Sequence, residues 1–207
     1  MIDSQQIVFI FYTLIHLITQ LSITIGTAYN YKNTTIPYKW IVLLLSFFIY
    51  LGIYYTTSAL PIQFRFALFV LFSFLNGIVL SSVFKYIPDV ELKNAALQTG
   101  FVFICMFGIG YLLFVNNVPI QPLSLMLFFL TGIMLALVIS QFFIKTTHKY
   151  RNVIRSFIIG LLATYIAYDT YMNIYIQYND DIINATLDYY TDVYGIFSQL
   201  LQHDGDD

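Results

Sequence analysis

Three aspartates stand where a carboxylate is costly to keep. Asp169 lies in the stretch Ala163-Thr164-Tyr165-Ile166-Ala167-Tyr168-Asp169-Thr170, inside an apolar run that begins near Val153. Sixteen residues of helix cover about 24 Å at ~1.5 Å per residue, which is past the middle of a hydrocarbon layer ~30 Å thick and still below its surface. An ionisable group there costs at least about 2.5–3.5 kcal/mol on insertion, so it is a functional candidate by default. The plain alternative is a helix that ends early and leaves Asp169 wet; Met172, Ile174 and Ile176, which continue the apolar character, speak against it. Asp188 and Asp192 are four residues apart and share one face of a helix. Two carboxylates one turn apart repel when both are ionised. The arrangement suits a cation pathway or a proton-sharing site; the plain alternative is an amphipathic helix with a solvated acidic face.

Other polar positions carry weaker signals. Thr13, His16, Gln20 and Thr24 recur at steps of three and four and form one stripe that faces other helices rather than lipid. His16 titrates near neutral pH when unperturbed, but a packed, hydrogen-bonded histidine is the commoner outcome. Ser73, Gly77 and Ser81 form a ridge of small residues with Asn76 beside it, the pattern of close helix packing. Asn33-Thr34-Thr35 and Asn184-Ala185-Thr186 match the glycosylation sequon, which also arises often by chance. Cys105 lies in an apolar run and reads as a small packing residue.

These residues need a scaffold, and the composition names it. Of 207 residues, 59% are hydrophobic and 10% charged, against about 25% charged in an ordinary soluble domain. Six apolar runs are long enough to cross a bilayer: Ile7–Gly26, Trp40–Leu60, Phe64–Phe84, Ala95–Val115, Pro122–Ile144 and Val153–Tyr175. Continuous runs of this length exclude the alternating strands of a barrel. The first run follows an Asp and no Lys or Arg, so it reads as a retained helix rather than a secretory signal. Ala185–Gln202 is helical in pattern but too polar to face lipid all round; it is a seventh helix, either spanning and shielded or re-entrant. The end, His203–Asp207, is acidic and expected to fray. The expectation is an all-α membrane protein forming a single integral membrane domain over residues 1–207, with the lipid bilayer as its surroundings.

Several functions are excluded or unsupported. A net charge of −2 gives no general electrostatic case for nucleic acid. One cysteine and the scattered His16, His148 and His203 offer neither a disulfide framework nor a structural metal site. The phosphate-binding, nucleophile-elbow and zinc-protease motifs are absent. Asp169 follows Tyr168 and Asp192 follows Thr191, which is not the Gly-x-Gly-Asp pattern of intramembrane aspartyl proteases. The chain is not expected to be an enzyme or to hold a cofactor.

Local patterns, in order along nearly the whole chain, resemble the transmembrane Bax-inhibitor-motif family, also called the lifeguard family. Phe11-Tyr12-Thr13-Leu14-Ile15 with Gln20-Leu21 and Thr24 resembles "VYxLLxxQLxxT". Phe74-Leu75-Asn76-Gly77-Ile78-Val79-Leu80-Ser81 resembles "FxEGxxLGP", and Ala96, Thr99 and Phe103 resemble "AxxxTxxxF" with the first gap one residue short. Ala167-Tyr168-Asp169-Thr170 resembles "(L/I)(Y/F)DTQ", and the stretch Leu187 to Phe197 resembles the acidic "xDLFLDFxxxF" helix. Departures are Asn76 for the usual Glu, Ser82 for Pro, Tyr171 for Gln, and Gly195 for an Asn common in many members. The high Phe, Tyr, Ile and Asn content fits an AT-rich genome, as in many viruses, protists and low-GC bacteria.

The resemblance implies a pH-sensitive calcium leak and, in eukaryotes and some viruses, protection from cell death. Asp169 and Asp192 would be the pair that shares a proton, with Asp188 a nearby carboxylate and His16, Gln20, Asn76 and Thr170 supporting polar groups. Calcium would be the permeant ion, bound transiently at Asp188 and Asp192. In some members a basic residue pairs with the aspartates; Arg65, the only candidate near the third span, is a poor one. Two carboxylates in a low-dielectric site cannot both ionise cheaply, and a pair that gains or loses one proton can bias a two-state helix contact. The other reading is a non-conducting partner of cell-death or stress proteins in the membrane; a proton-coupled transporter lacks its usual repeats and broken helices. An intracellular membrane is implied for a eukaryotic or viral member and the plasma membrane for a bacterial one. Orientation stays open. Eight of nine Lys and Arg cluster in the odd-numbered loops or at their edges, which places the N-terminus outside, whereas the resemblance places it in the cytosol.

Overall fold

The computed structural model describes residues 4–36, 38–56, 59–143, 147–176 and 181–204. They form seven α-helices: α1 (Ser4–Tyr31), α2 (Lys39–Tyr55), α3 (Ile62–Phe84), α4 (Asp89–Val115), α5 (Gln121–Phe143), α6 (His148–Ile176) and α7 (Ile182–Asp204). There is no strand among the described residues. Five helices, α1, α3, α4, α5 and α6, are long and apolar enough to cross a membrane, while α2 is apolar but shorter, at 17 residues. Ile144, Lys145 and the acidic residues after Asp204 lie outside the described residues.

The apolar runs locate the helices, and local chemistry moves their ends. The second run, expected to reach Leu60, stops as a helix at Tyr55. Thr56 turns both its backbone N–H and its hydroxyl onto the Gly52 carbonyl, and Pro61 disfavours helical backbone at Leu60. In the other direction, α4 begins at Asp89 rather than Ala95. Hydropathy marks what faces lipid, whereas Asp89 and Glu91 in the first turn favour helix by meeting the positive end of its dipole. Cys105, read as a packing residue, is exposed on α4.

The chain divides into two compact units. One comprises Ile2–Leu92 and Ile176–Thr191, so it holds α1, α2, α3 and the first half of α7. Its close packing depends on Gly77: a Cβ there would stand 2.5 Å from the Thr24 carbonyl oxygen and 2.6 Å from Thr27 Cβ. The small-residue ridge on α3 is therefore the surface that receives α1. The other unit comprises Lys93–Tyr175 and Asp192–Asp207, hence most of α4, all of α5, α6 up to Tyr175, and the second half of α7. Here α6 is the hub. Gly110 brings α4 against Ala167 and Thr170, and Thr131 of α5 shares a 2.6 Å hydrogen bond with the Tyr165 hydroxyl. The outer face of α5 is apolar and exposed at Leu125, Phe128, Phe129, Leu135 and Ile139, as lipid contact requires.

Candidate functional site

Two helix stripes carry the acidic residues. On α6, Leu162, Ile166, Asp169 and Asn173 follow at steps of four, three and four, so they share one face. On α7, Asp188, Asp192 and Gly195 do the same. The Leu162 side chain covers Gly195, where an added Cβ would come within 2.6 Å of Leu162 Cδ1. That contact sets Leu162, on the Asp169 face of α6, against Gly195, on the Asp192 face of α7. Five residues separate α6 from α7, so the helices run antiparallel. Counting from Leu162 and Gly195, Asp169 and Asp192 differ in height by four residues, about 6 Å of helix rise.

Both carboxylates are withdrawn from the surface. Asp169 and Asp192 are each 7% exposed, while Asp188 is half-buried. Thr170 is buried too, but its hydroxyl donates to the Ile166 carbonyl of its own helix at 2.7 Å, and its other side receives Gly110. Thr170 therefore supports the packing of α6 on α4. Among the described residues no three His, Cys, Asp or Glu side chains gather as a metal site.

The other supporting polar residues, His16, Gln20 and Asn76, belong to the other unit. Gln20 Oε1 accepts from the Ser73 hydroxyl at 2.7 Å, and Asn76 Oδ1 accepts from Ser46 at 3.1 Å. Thr24 Oγ1 lies 3.0 Å from the Ser73 carbonyl and 2.6 Å from the Tyr190 hydroxyl. Thr24 has one proton, which goes to a carbonyl, so Tyr190 is the donor to Thr24. The Tyr190 ring is fully buried between Phe69 and Phe72, 5.5 Å from each centroid. Gln20 and Asn76 thus fasten α1, α2 and α3 around the first half of α7. His16 is half-buried, edge-on to Phe66 at 5.3 Å, and lines a cavity of about 260 Å³ with Ile62, Gln63 and Ile183.

Arg65 has a partner that the sequence did not suggest. The guanidinium donates from Nη1 to Asp181 Oδ1 at 3.0 Å, and Nη2 stands 3.0 Å from Oδ2 as an ion pair. Nη2 also donates to Asn184 Oδ1 at 2.9 Å and to the Ile53 carbonyl at 3.3 Å. Asp181 in turn accepts from the backbone N–H of Asn184 at 3.2 Å and caps α7. One clasp therefore joins the end of α2, the start of α3 and the start of α7. The signal was available: an arginine next to an apolar run needs an acid, and Asp181 opens the last helix. Asn184, a sequon match, is buried in this clasp and cannot receive a glycan, whereas Asn33 is exposed.

Comparison with known proteins agrees with this architecture. No curated protein matches the chain. The family model described as inhibitor of apoptosis-promoting Bax1 matches residues 6–203, from the first turn of α1 to the last turn of α7. With that match over nearly the whole chain, and with helices able to cross a bilayer, the protein is an integral membrane protein that belongs to the Bax-inhibitor family.

Proposed function

We propose that the protein is a pH-sensitive calcium leak pathway of the Bax-inhibitor type that modulates cell death. In this reading α2 is a sixth span, since 17 residues reach the lower limit of a crossing. The seventh helix, α7, is shielded from lipid by the others. Asp169 and Asp192 share one proton. With the proton in place, a hydrogen bond holds α6 to α7; without it, like charges loosen the contact and two anionic oxygens attract a hard cation such as Ca²⁺. Asp188, half-buried one turn before Asp192, raises the local concentration of cations. The reaction breaks no covalent bond, and calcium and protons are its small-molecule partners. The membrane is an intracellular one in a eukaryotic or viral setting and the plasma membrane in a bacterium. The N-terminus faces the cytosol, as in the family.

The observation that carries this reading is the burial of Asp169 and Asp192 on the meeting stripes of α6 and α7. Ca²⁺ flux into liposomes between about pH 5 and 8, where coupled carboxyls titrate, tests it. Asp169→Asn and Asp192→Asn each remove the coupled titration, so both single variants and the double variant lose the pH response alike, without additivity. Asp188→Asn lowers flux and keeps the pH response. Single variants that retain the wild-type pH profile refute the shared proton. A wild-type protein that passes no Ca²⁺ at any pH refutes the leak and leaves a non-conducting partner of cell-death proteins.

A further inference from the structure

Asn173 is 1% exposed, and neither its amide nitrogen nor its amide oxygen has a hydrogen-bond partner among the described residues. A fully buried amide with both ends unmet is costly, at about 1–3 kcal/mol for each unsatisfied group. Leucine shares the branching at Cγ and carries no polar atom to leave unmet. Asn173 stands one helical turn beyond Asp169, on the stripe that Leu162 aligns with α7. It is also distinct from Thr170, whose hydroxyl is used within its own helix. An amide held at this cost beside a buried carboxylate needs a ligand that is both small and polar.

We infer that Asn173 is a neutral oxygen ligand for a divalent cation held at Asp169. This rests on the reading of Asp169 and Asp192 as a cation-attracting pair, and it adds the group that completes a hard-ion site. Ca²⁺ takes carboxylate and amide oxygens together and tolerates irregular geometry, whereas Mg²⁺ demands a near-octahedral shell and keeps most of its water. One carboxylate with one amide oxygen, a turn apart on a single helix, therefore favours Ca²⁺. The amide nitrogen is left to hold a water molecule of the ion's shell.

The test separates a ligand from a structural amide. Ca²⁺ binding to the purified protein is measured by titration calorimetry, alongside thermal unfolding. Asn173→Leu weakens Ca²⁺ binding roughly 10-fold, the lower end of the effect of losing a group around a metal, and raises Tm because the unmet amide is gone. Asn173→Asp, equal in shape, tightens Ca²⁺ binding. Wild-type affinity in Asn173→Leu overturns the proposal, as does a fall in Tm with binding unchanged. If Asn173→Leu does not fold, Asn173→Asp decides: binding no tighter than wild type overturns the proposal. Ca²⁺ binding with no Ca²⁺ flux refutes the leak and leaves the ligand role intact; no Ca²⁺ binding by the wild type overturns the ligand role.

Discussion

Removing either half of the Arg65–Asp181 clasp should be among the most damaging single changes in this protein. The two side chains are 4% and 8% exposed, so solvent does not screen the pair. Taking Asp181 away leaves a guanidinium with only the neutral oxygens of Asn184 and Ile53. Breaking one side of a buried pair costs about 3–5 kcal/mol. Asp181→Ala also deletes the cap on the Asn184 N–H, a further ~1 kcal/mol, for about 4–6 kcal/mol in all. Asp181→Asn keeps the cap and should be milder by about 1 kcal/mol. Arg65→Met should cost about 3–5 kcal/mol. Arg65→Met with Asp181→Leu removes both charges, and well-packed apolar replacements for a buried pair are often neutral or better. The double variant should therefore recover most of the loss. The assay is unfolding in mixed micelles by SDS titration, followed by circular dichroism. Single-variant losses below about 1 kcal/mol, or a double variant equal to the sum of the singles, would refute the clasp.

Two more outcomes follow from packing. Gly77→Ala forces α1 away from α3 and should cost about 1–3 kcal/mol by overpacking, whereas Gly132→Ala, with nothing within 4 Å of the new methyl, should be neutral or stabilising by about 0.5–1 kcal/mol; equal effects in thermal unfolding would sink the argument. Tyr190→Phe removes the donor to Thr24 and should cost about 1–3 kcal/mol, which Thr24→Val in the same background should partly restore; full additivity of the two would show that the hydroxyls do not interact.

Helix number and order were legible in the sequence because lipid selects long apolar runs and says little else. The same rule misled at the ends. Leu60 is apolar but precedes a proline, and Asp89 is polar but starts a helix. The burial of Asp169 and Asp192 was legible because a carboxylate in an apolar run is conspicuous. Asn173 was not, since an amide near the end of a span resembles an ordinary interfacial residue until its burial is known. Arg65 is a poor partner for Asp169 and Asp192 in the sequence, and its real partner is Asp181. Asp181 stands 116 residues further along, and hydropathy does not link the two. Which polar side chains meet across helices depends on rotation about each helix axis, and that is set by contacts such as Leu162 on Gly195, not by hydropathy.

The clasp also has a consequence for biosynthesis. Arg65 and Asp181 are 116 residues apart in the chain. At synthesis rates of about 5–20 residues per second, the arginine waits roughly 6–23 seconds for its carboxylate. During that interval α3 is a hydrophobic helix carrying an uncompensated cation at its start, held at the edge of the bilayer by its own charge. Only the arrival of the last helix neutralises it. A chain cut short before α7 therefore keeps Arg65 without this carboxylate.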